Sequence, residues 1–320
     1  MRRRRQVLIH LALFLVTFAT TTMAGALFVH GDTVRPLSDG LAYSVPLLLI
    51  LTCHELGHYV VARRHGVDAS LPYFVPIPPQ IGLGTFGAFI SMRGVTSNRT
   101  KLIDIGAAGP LAGMVIAIPV ILYGLHLSPV RMLEGIGQQE GNSLLYLLLK
   151  YAAKGAWLPD AARRDVILHP TAWAGWAGLL LTMINLLPIW QLDGGHIATA
   201  YFGNRYARFA RWLHRALPFL GIAVFLWVRG VVAREAGTGP GRAPVTAIAI
   251  LAALPWLLWF VMVLVMRRLS GGVEHPPVDD DAPLPRSRRI LFWIVVAVFV
   301  MIFMPVPLRM TLAPGASEGP

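Results

Sequence analysis

The sequence predicts an all-α polytopic membrane protein of about seven transmembrane helices, interrupted by one re-entrant β-hairpin. Three observations carry that prediction. Hydrophobic residues make up 55% of the 320-residue chain and charged ones only 14%, more apolar surface than a soluble protein of this size could bury. The apolar residues fall into runs of about 20, the length a helix needs to cross a bilayer. The basic residues, nearly all arginine, cluster beside those runs. The net charge of +12 therefore reads as membrane topology rather than as affinity for nucleic acid.

The first run is Val7–Val29. Arg2 to Arg5 precede it, which places the N-terminus in the cytoplasm. Met23-Ala24-Gly25-Ala26 has the small residues of a signal-cleavage site, but the apolar run is long and a retained helix is expected. The further runs are Leu41–Ala62, Leu102–Leu125, Thr171–Ile189, Ala216–Val232, Val245–Met266 and Ile290–Val306. Alternating them puts the arginine-rich joints on the side of the N-terminus: Arg63 and Arg64, Arg205 to Arg215, and Arg286 to Arg289. The opposite loops Val29–Gly40 and Arg234–Arg242 carry fewer positive charges. The expected organisation is an N-terminal helix and outside loop (1–40), a membrane core (41–204), two more spans (205–269), a disordered Pro-rich cytoplasmic linker (270–289) and a last span with its tail (290–320).

Two segments of the core are not spans. Ser70–Met92 is apolar but broken by Pro72, Pro76, Pro78 and Pro79 and then by Gly82, Gly84 and Gly87, so it cannot be a regular helix. Phe86, Ala88, Ile90 and Met92 alternate with Thr85, Gly87, Phe89 and Ser91, which reads as a strand. Non-helical backbone at membrane depth needs shielding by protein or a water cavity, and a re-entrant hairpin over 70–92 beside the active site meets that need. In the outside loop 126–169, Ser143–Trp157 reads as an interfacial helix.

Chemistry concentrates at His54-Glu55-Leu56-Gly57-His58. Ionisable groups inside an apolar run are costly and need a partner. On a helix His54 and His58 share one face and aim at a single Zn²⁺, with Glu55 beside them as the base for a metal-bound water. The third ligand expected is Asp193, which follows the run Thr171–Ile189 and comes to the same cytoplasmic depth. Pro188 and Gly194-Gly195 would break the helix there. Cys53, the single cysteine, points about 100° away from the histidine face and reads as a core residue. His196 has two readings, a hydrogen bond to Asp193 or a packed core histidine. Asp104 reads as an interfacial charge. Gly106, Gly109 and Gly113 have the spacing that permits close helix packing. His10, His30, His126, His169 and His214 show no partner pattern.

HELGH, Gly106-Ala-Ala-Gly-Pro-Leu-Ala-Gly113 and Asn185-Leu-Leu-Pro188 followed by Leu192-Asp-Gly-Gly-His196 together resemble the site-2 proteases, which are intramembrane zinc metalloproteases. The resemblance covers about residues 41–200. The segment FVPIPP…GTFGAFI is similar to a branch that includes the chloroplast EGY-type proteases and their prokaryotic relatives. It implies one Zn²⁺ per chain on His54, His58 and Asp193, Glu55 as general base and then proton donor, and Asn185 as donor to the oxyanion or scissile carbonyl. It also implies substrate pairing at the strand Gly84-Thr85-Phe86-Gly87 and single-span transmembrane proteins as substrates. Many bacterial relatives carry a PDZ domain between the core spans, for which neither Arg99–Leu102 nor the loop to His169 leaves room. The expected location is a prokaryotic plasma membrane, with the site opening to the cytoplasm. Two other readings are a catalytically silent zinc protein that binds clients, disfavoured by the intact Glu55, and a metal transporter, disfavoured by the lack of internal repeats.

Overall fold

The computed structural model describes residues 2–30, 37–93, 98–132, 136–189, 191–235, 243–270, 278 and 283–312. Half of the loop Val29–Gly40, most of the loop Arg234–Arg242, most of the linker 270–289 and the tail from 313 lie outside the described residues.

Five helices among the described residues are long and apolar enough to cross a membrane. They are α1 (Arg2–His30), α2 (Leu37–Arg64), α3 (Arg99–Leu127), α7 (Tyr206–Glu235) and α8 (Ala243–Ser270). Their starts follow local chemistry where the flanking residues allow it. The Asn98 side chain, for example, accepts the Lys101 N–H at the start of α3, satisfying a donor that the helix leaves open. Prolines at 46, 110, 119, 218 and 255 lie inside these helices, a pattern that membrane helices tolerate when neighbours re-satisfy the backbone.

The two remaining apolar runs form shorter helices than hydropathy alone indicates. The run Thr171–Ile189 yields α5 (Pro170–Asn185), 16 residues or about 24 Å. The Leu186–Leu192 turn then separates it from α6 (Asp193–Phe202). Tyr206 donates its hydroxyl to the Pro188 carbonyl and so fastens that turn from behind. The run Ile290–Val306 yields α9 (Arg286–Ile302), 17 residues, after which the chain is extended. It ends in β8 (Leu308–Leu312).

The core is the bundle of α2, α3 and α5, with α1 on the outer side of α2 and α6 and α9 against α3. Thr171 at the start of α5 donates to the Ala42 carbonyl near the start of α2, 3.0 Å away. α7 and α8 form a separate antiparallel pair beside this bundle.

The strands are short. β1 (Asp68–Ala69) pairs with β4 (Met92–Arg93), and inside them β2 (Tyr73–Pro76) pairs with β3 (Thr85–Phe89). Antiparallel strands therefore form within 70–92, with register Tyr73↔Phe89, Phe74↔Ala88 and Pro76↔Thr85. In β3 Thr85 and Gly87 face inward while Phe86 is 68% exposed. At the start of the strand α1 comes very close. A Cβ on Gly84, whose φ is +79°, would run into the backbone of Thr20 and Thr21.

In the loop between α3 and α5, β5 (Val130–Met132) pairs with β7 (Arg164–Val166), and β6 (Ile136–Glu140) pairs with the distant β8. The helix expected in Ser143–Trp157 is α4 (Leu144–Lys154), capped by Ser143 and closed by Gly155 in the left-handed conformation. Lys150 of α4 is fully buried. Its ammonium lies 2.9 Å from Glu140 and 3.0 Å from Asp165, and Tyr146 donates to Glu140. Burial pushes the Glu140 carboxyl above its usual range, and the Lys150 charge pulls it back. Burying such charges is tolerable only when each is paired and hydrogen-bonded, so this network fixes α4 against β6 and β7.

Candidate metal centre

The site is built on α2. His54 and His58 are one helical turn apart, and both rings are buried together with Glu55. Arg64, the last residue of α2, lies six residues past His58, about 9 Å along the axis. The site thus sits inside the helical bundle rather than at its end.

Asp193 is the first residue of α6. The break between α5 and α6 turns its carboxylate toward α2, where a helix N-terminus favours negative charge. Asp193 Oδ2 lies 3.1 Å from His54 Nε2, Asp193 Oδ1 lies 3.2 Å from His58 Nε2, and the two histidine Nε2 atoms are 3.2 Å apart. The three residues form the one His, Cys, Asp and Glu cluster with metal-ligand spacing among the described residues.

Two features of this triangle fit a metal. First, ligand atoms of a tetrahedral zinc shell lie about 3.3 Å apart, close to all three observed edges. Second, His58 donates its Nδ1–H to the Ile105 carbonyl of α3 at 2.7 Å. In the neutral ring Nε2 then carries a lone pair, and it faces a carboxylate oxygen and a second imidazole nitrogen. Lone pairs converging in a buried space repel unless a cation lies between them.

α3 forms the floor of the site. A Cβ on Gly109 would overlap the His58 imidazole, one on Gly113 would lie 3.2 Å from His54 Nδ1, and one on Gly106 would meet Ile197 and His196. The three glycines were expected to let helices pack closely. They do so, and the surfaces that Gly109 and Gly113 admit are the rings of His58 and His54.

Beside the triangle is a cavity of about 120 Å³. Glu55, His58, Asp193, Asn185 and His196 line it, as do Ala88, Phe89, Ile90 and Met92. The backbone of Ile90 lies beside the Glu55 carboxylate, so the exit of β3 adjoins the acidic residue. Asn185, the last residue of α5, is thus in the same cavity as Glu55. Gly84, Thr85, Phe86 and Gly87 are not among the lining residues. Thr85 is turned inward to the Val75 carbonyl, Phe86 points outward, and it is the end of the strand that reaches the site.

The hairpin is held from the far side by α1 and α2. Thr20 donates to the Gly84 carbonyl at 2.7 Å, Tyr43 to the Leu83 carbonyl at 3.1 Å, and the His10 Nδ1–H to the Pro72 carbonyl at 3.0 Å. The His10 ring also packs on Tyr73. Three histidines without a visible partner in the sequence thus have structural ones. His10 holds the hairpin, His169 caps α5, and His214 stacks on Phe260 while bonding its carbonyl.

Asp104 is more than an interfacial charge. Arg288 at the start of α9 grips it through two hydrogen bonds of 3.0 and 2.8 Å, and His65 lies 3.1 Å from its Oδ2. Asp104 directly precedes Ile105, whose carbonyl orients His58, so the ion pair braces α3 behind the site. Neither Ile105 nor Ile90 was visible as a site residue, because each acts through its backbone.

Residues 42–227, more than half of the chain, match peptidase family M50. Among its relatives, the probable zinc metalloprotease EGY1, chloroplastic, of Arabidopsis thaliana is 31% identical over 292 residues, covering 88% of this chain and 44% of that protein. The probable zinc metalloprotease EGY2, chloroplastic, of the same plant is 33% identical over 206 residues, 62% of this chain and 36% of that protein. A rice relative, the probable zinc metalloprotease EGY3, chloroplastic, of Oryza sativa subsp. indica, is 28% identical over 305 residues, 91% of this chain and 46% of that protein. The chain spans less than half the length of these relatives.

Proposed function

The chain is an integral membrane protein that belongs to peptidase family M50, and from that premise we propose that it is a zinc metalloprotease cutting single-span transmembrane proteins inside the bilayer. The observation that carries this reading is the meeting of His54, His58 and Asp193, the last two at the wall of a cavity also lined by Glu55 and Asn185. Its relatives' names, as zinc metalloproteases, support the choice of metal.

His54, His58 and Asp193 hold one zinc ion per chain, which when bound supplies the Lewis acidity that makes water a nucleophile near neutral pH and polarises a carbonyl. Glu55 takes the proton of the attacking water and returns it to the leaving amine. Glu55 and Ile90 face the same cavity, with the Ile90 backbone beside the carboxylate. Asn185 donates from its amide to the oxygen on which charge develops. His58 keeps its Nε2 lone pair toward the metal position because Ile105 occupies its other nitrogen.

A transmembrane helix hides its peptide bonds in internal hydrogen bonds, so a substrate must unwind before it is cut. An extended stretch added to the edge of β3 opposite β2, beginning at Gly84-Thr85-Phe86-Gly87, regains those bonds and leads along Ala88–Ile90 to Glu55. The membrane is crossed seven times in this reading, with α5 and the segment from α9 to β8 making the two shorter crossings. The arginine-rich helix ends face the cytoplasm of a prokaryotic plasma membrane, and the site opens to that side.

The test is zinc content and cleavage of single-span substrates in detergent. Asp193→Ala should bind zinc at least ~100-fold more weakly and stop cutting. Zinc binding by the wild type without cleavage of any substrate would leave a silent client-binding protein, and zinc flux in liposomes without proteolysis would mean transport. The strand's role has its own check. Thr20→Val removes the bond to Gly84 without changing shape, a loss of about 1 kcal/mol and so ~5-fold in cleavage. Zinc content should not change and Thr20→Ser should restore the rate. Equal rates in Thr20→Val and wild type would separate α1 from the positioning of substrate.

A further inference from the structure

A second cavity, of about 530 Å³, lies between α7 and the paired strands β6 and β8, and shares no lining residue with the metal centre. Its two walls differ in kind. On one side Leu220, Val224 and Trp227 of α7 follow one another at helical spacing, a stripe about 10 Å long. Next to that stripe α7 exposes Phe219, Ile222 and Leu226, so the apolar wall runs on into surface that faces lipid. On the other side are Gln139, Glu140, Asn142 and Arg309.

The polar wall defines what it accepts. The Asn142 Oδ1 atom is buried and has no hydrogen-bond partner, an acceptor that a well-satisfied interior does not leave open. The charges around it balance. Lys150 pairs with Glu140 and Asp165, and Arg309 is tied to that cluster through Gln139, which in turn donates to Asp165. Two cations face two carboxylates, so a head group with net charge finds no counter-charge here. A head group carrying both signs does. The open Asn142 acceptor adds a requirement for an N–H donor, which a quaternary ammonium lacks.

We propose that this groove binds one phospholipid with a primary-ammonium head group. Its ammonium donates to Asn142 Oδ1, its phosphate lies toward Arg309, and an acyl chain follows the stripe on α7. The lipid would join α7 to the β6–β8 sheet, two parts of the fold that otherwise touch little along this groove.

The experiment uses the full chain, purified and stripped of lipid in detergent, with thermal unfolding followed as phosphatidylethanolamine, phosphatidylcholine or phosphatidylglycerol of matched acyl chains is added. Phosphatidylethanolamine at saturating concentration should raise the melting temperature by about 5 °C, and native mass measurement should find one such lipid retained. Ala223→Trp fills the groove from an exposed position on α7 and should abolish both effects. Asn142→Leu should remove the preference over phosphatidylcholine. Equal stabilisation of the wild type by phosphatidylcholine or phosphatidylglycerol overturns the proposal, as does a full phosphatidylethanolamine shift in Ala223→Trp.

Discussion

Glu55→Gln should lower cleavage by about 10²–10⁴-fold while leaving zinc content at the wild-type level. The substitution is close to isosteric, and Glu55 is no member of the triangle formed by His54, His58 and Asp193. The glutamine keeps a carbonyl oxygen that can face the Ile90 backbone as the carboxylate does. The link between hairpin and α2 is therefore kept, and what disappears is the ability to take and return a proton. Glu55→Ala would lose both functions and is the less informative variant. Metal analysis of the purified variant, with single-turnover cleavage of a single-span substrate, reads the two quantities separately. Cleavage by Glu55→Gln at the wild-type rate would sink the proposed mechanism, and loss of zinc would move Glu55 into the ligand set.

Gly109→Ala should abolish zinc binding without unfolding the chain. In a helix interior alanine is more favourable than glycine by about 1 kcal/mol, so α3 itself gains nothing but helical preference. The added methyl, however, would occupy the position of the His58 imidazole. That ring cannot simply step aside, because its Nδ1–H is held by Ile105 and its Nε2 faces Asp193. Displacing it removes one of three ligands, and the affinity for zinc should fall by at least ~100-fold. Overpacking costs about 1–3 kcal/mol and the helical preference offsets part of it, so the metal-free variant should melt somewhat lower than the wild type but still fold cooperatively. Gly230→Ala on α7, where a Cβ meets nothing within 4 Å, is the control and should bind zinc normally. Tight zinc binding by Gly109→Ala would show that His58 is not a ligand in this arrangement.

The centre of the site was legible because its logic is periodic. Four residues separate His54 from His58, so a helix alone puts them on one face, and an apolar run announces that something must compensate them. Asp193 could be matched to them because hydropathy sets the depth at which a run ends. The hairpin was legible from its prolines and glycines, which forbid a helix. What stayed hidden rests on backbone groups and on long-range pairing. Ile105 and Ile90 contribute a carbonyl and a peptide N–H that every residue owns. Thr20, His10 and Arg288 act on segments more than 60 residues away, a separation at which no local period survives. Hydropathy also overstated α5, because Leu186 to Ile189 are as apolar as the helix before them and yet form the turn that delivers Asp193.

The pairing of Asp104 with Arg288 gives the molecule an order of assembly. The carboxylate belongs to α3 and is synthesised early, whereas its guanidinium partner arrives 184 residues later. Until α9 enters the membrane, the Asp104 carboxylate has His65 beside it but not its guanidinium partner, and β6 waits for the strand that pairs with it. A growing chain would thus carry both histidines and Asp193 well before the centre is braced. The brace behind the metal triangle is therefore completed only when α9 is in place.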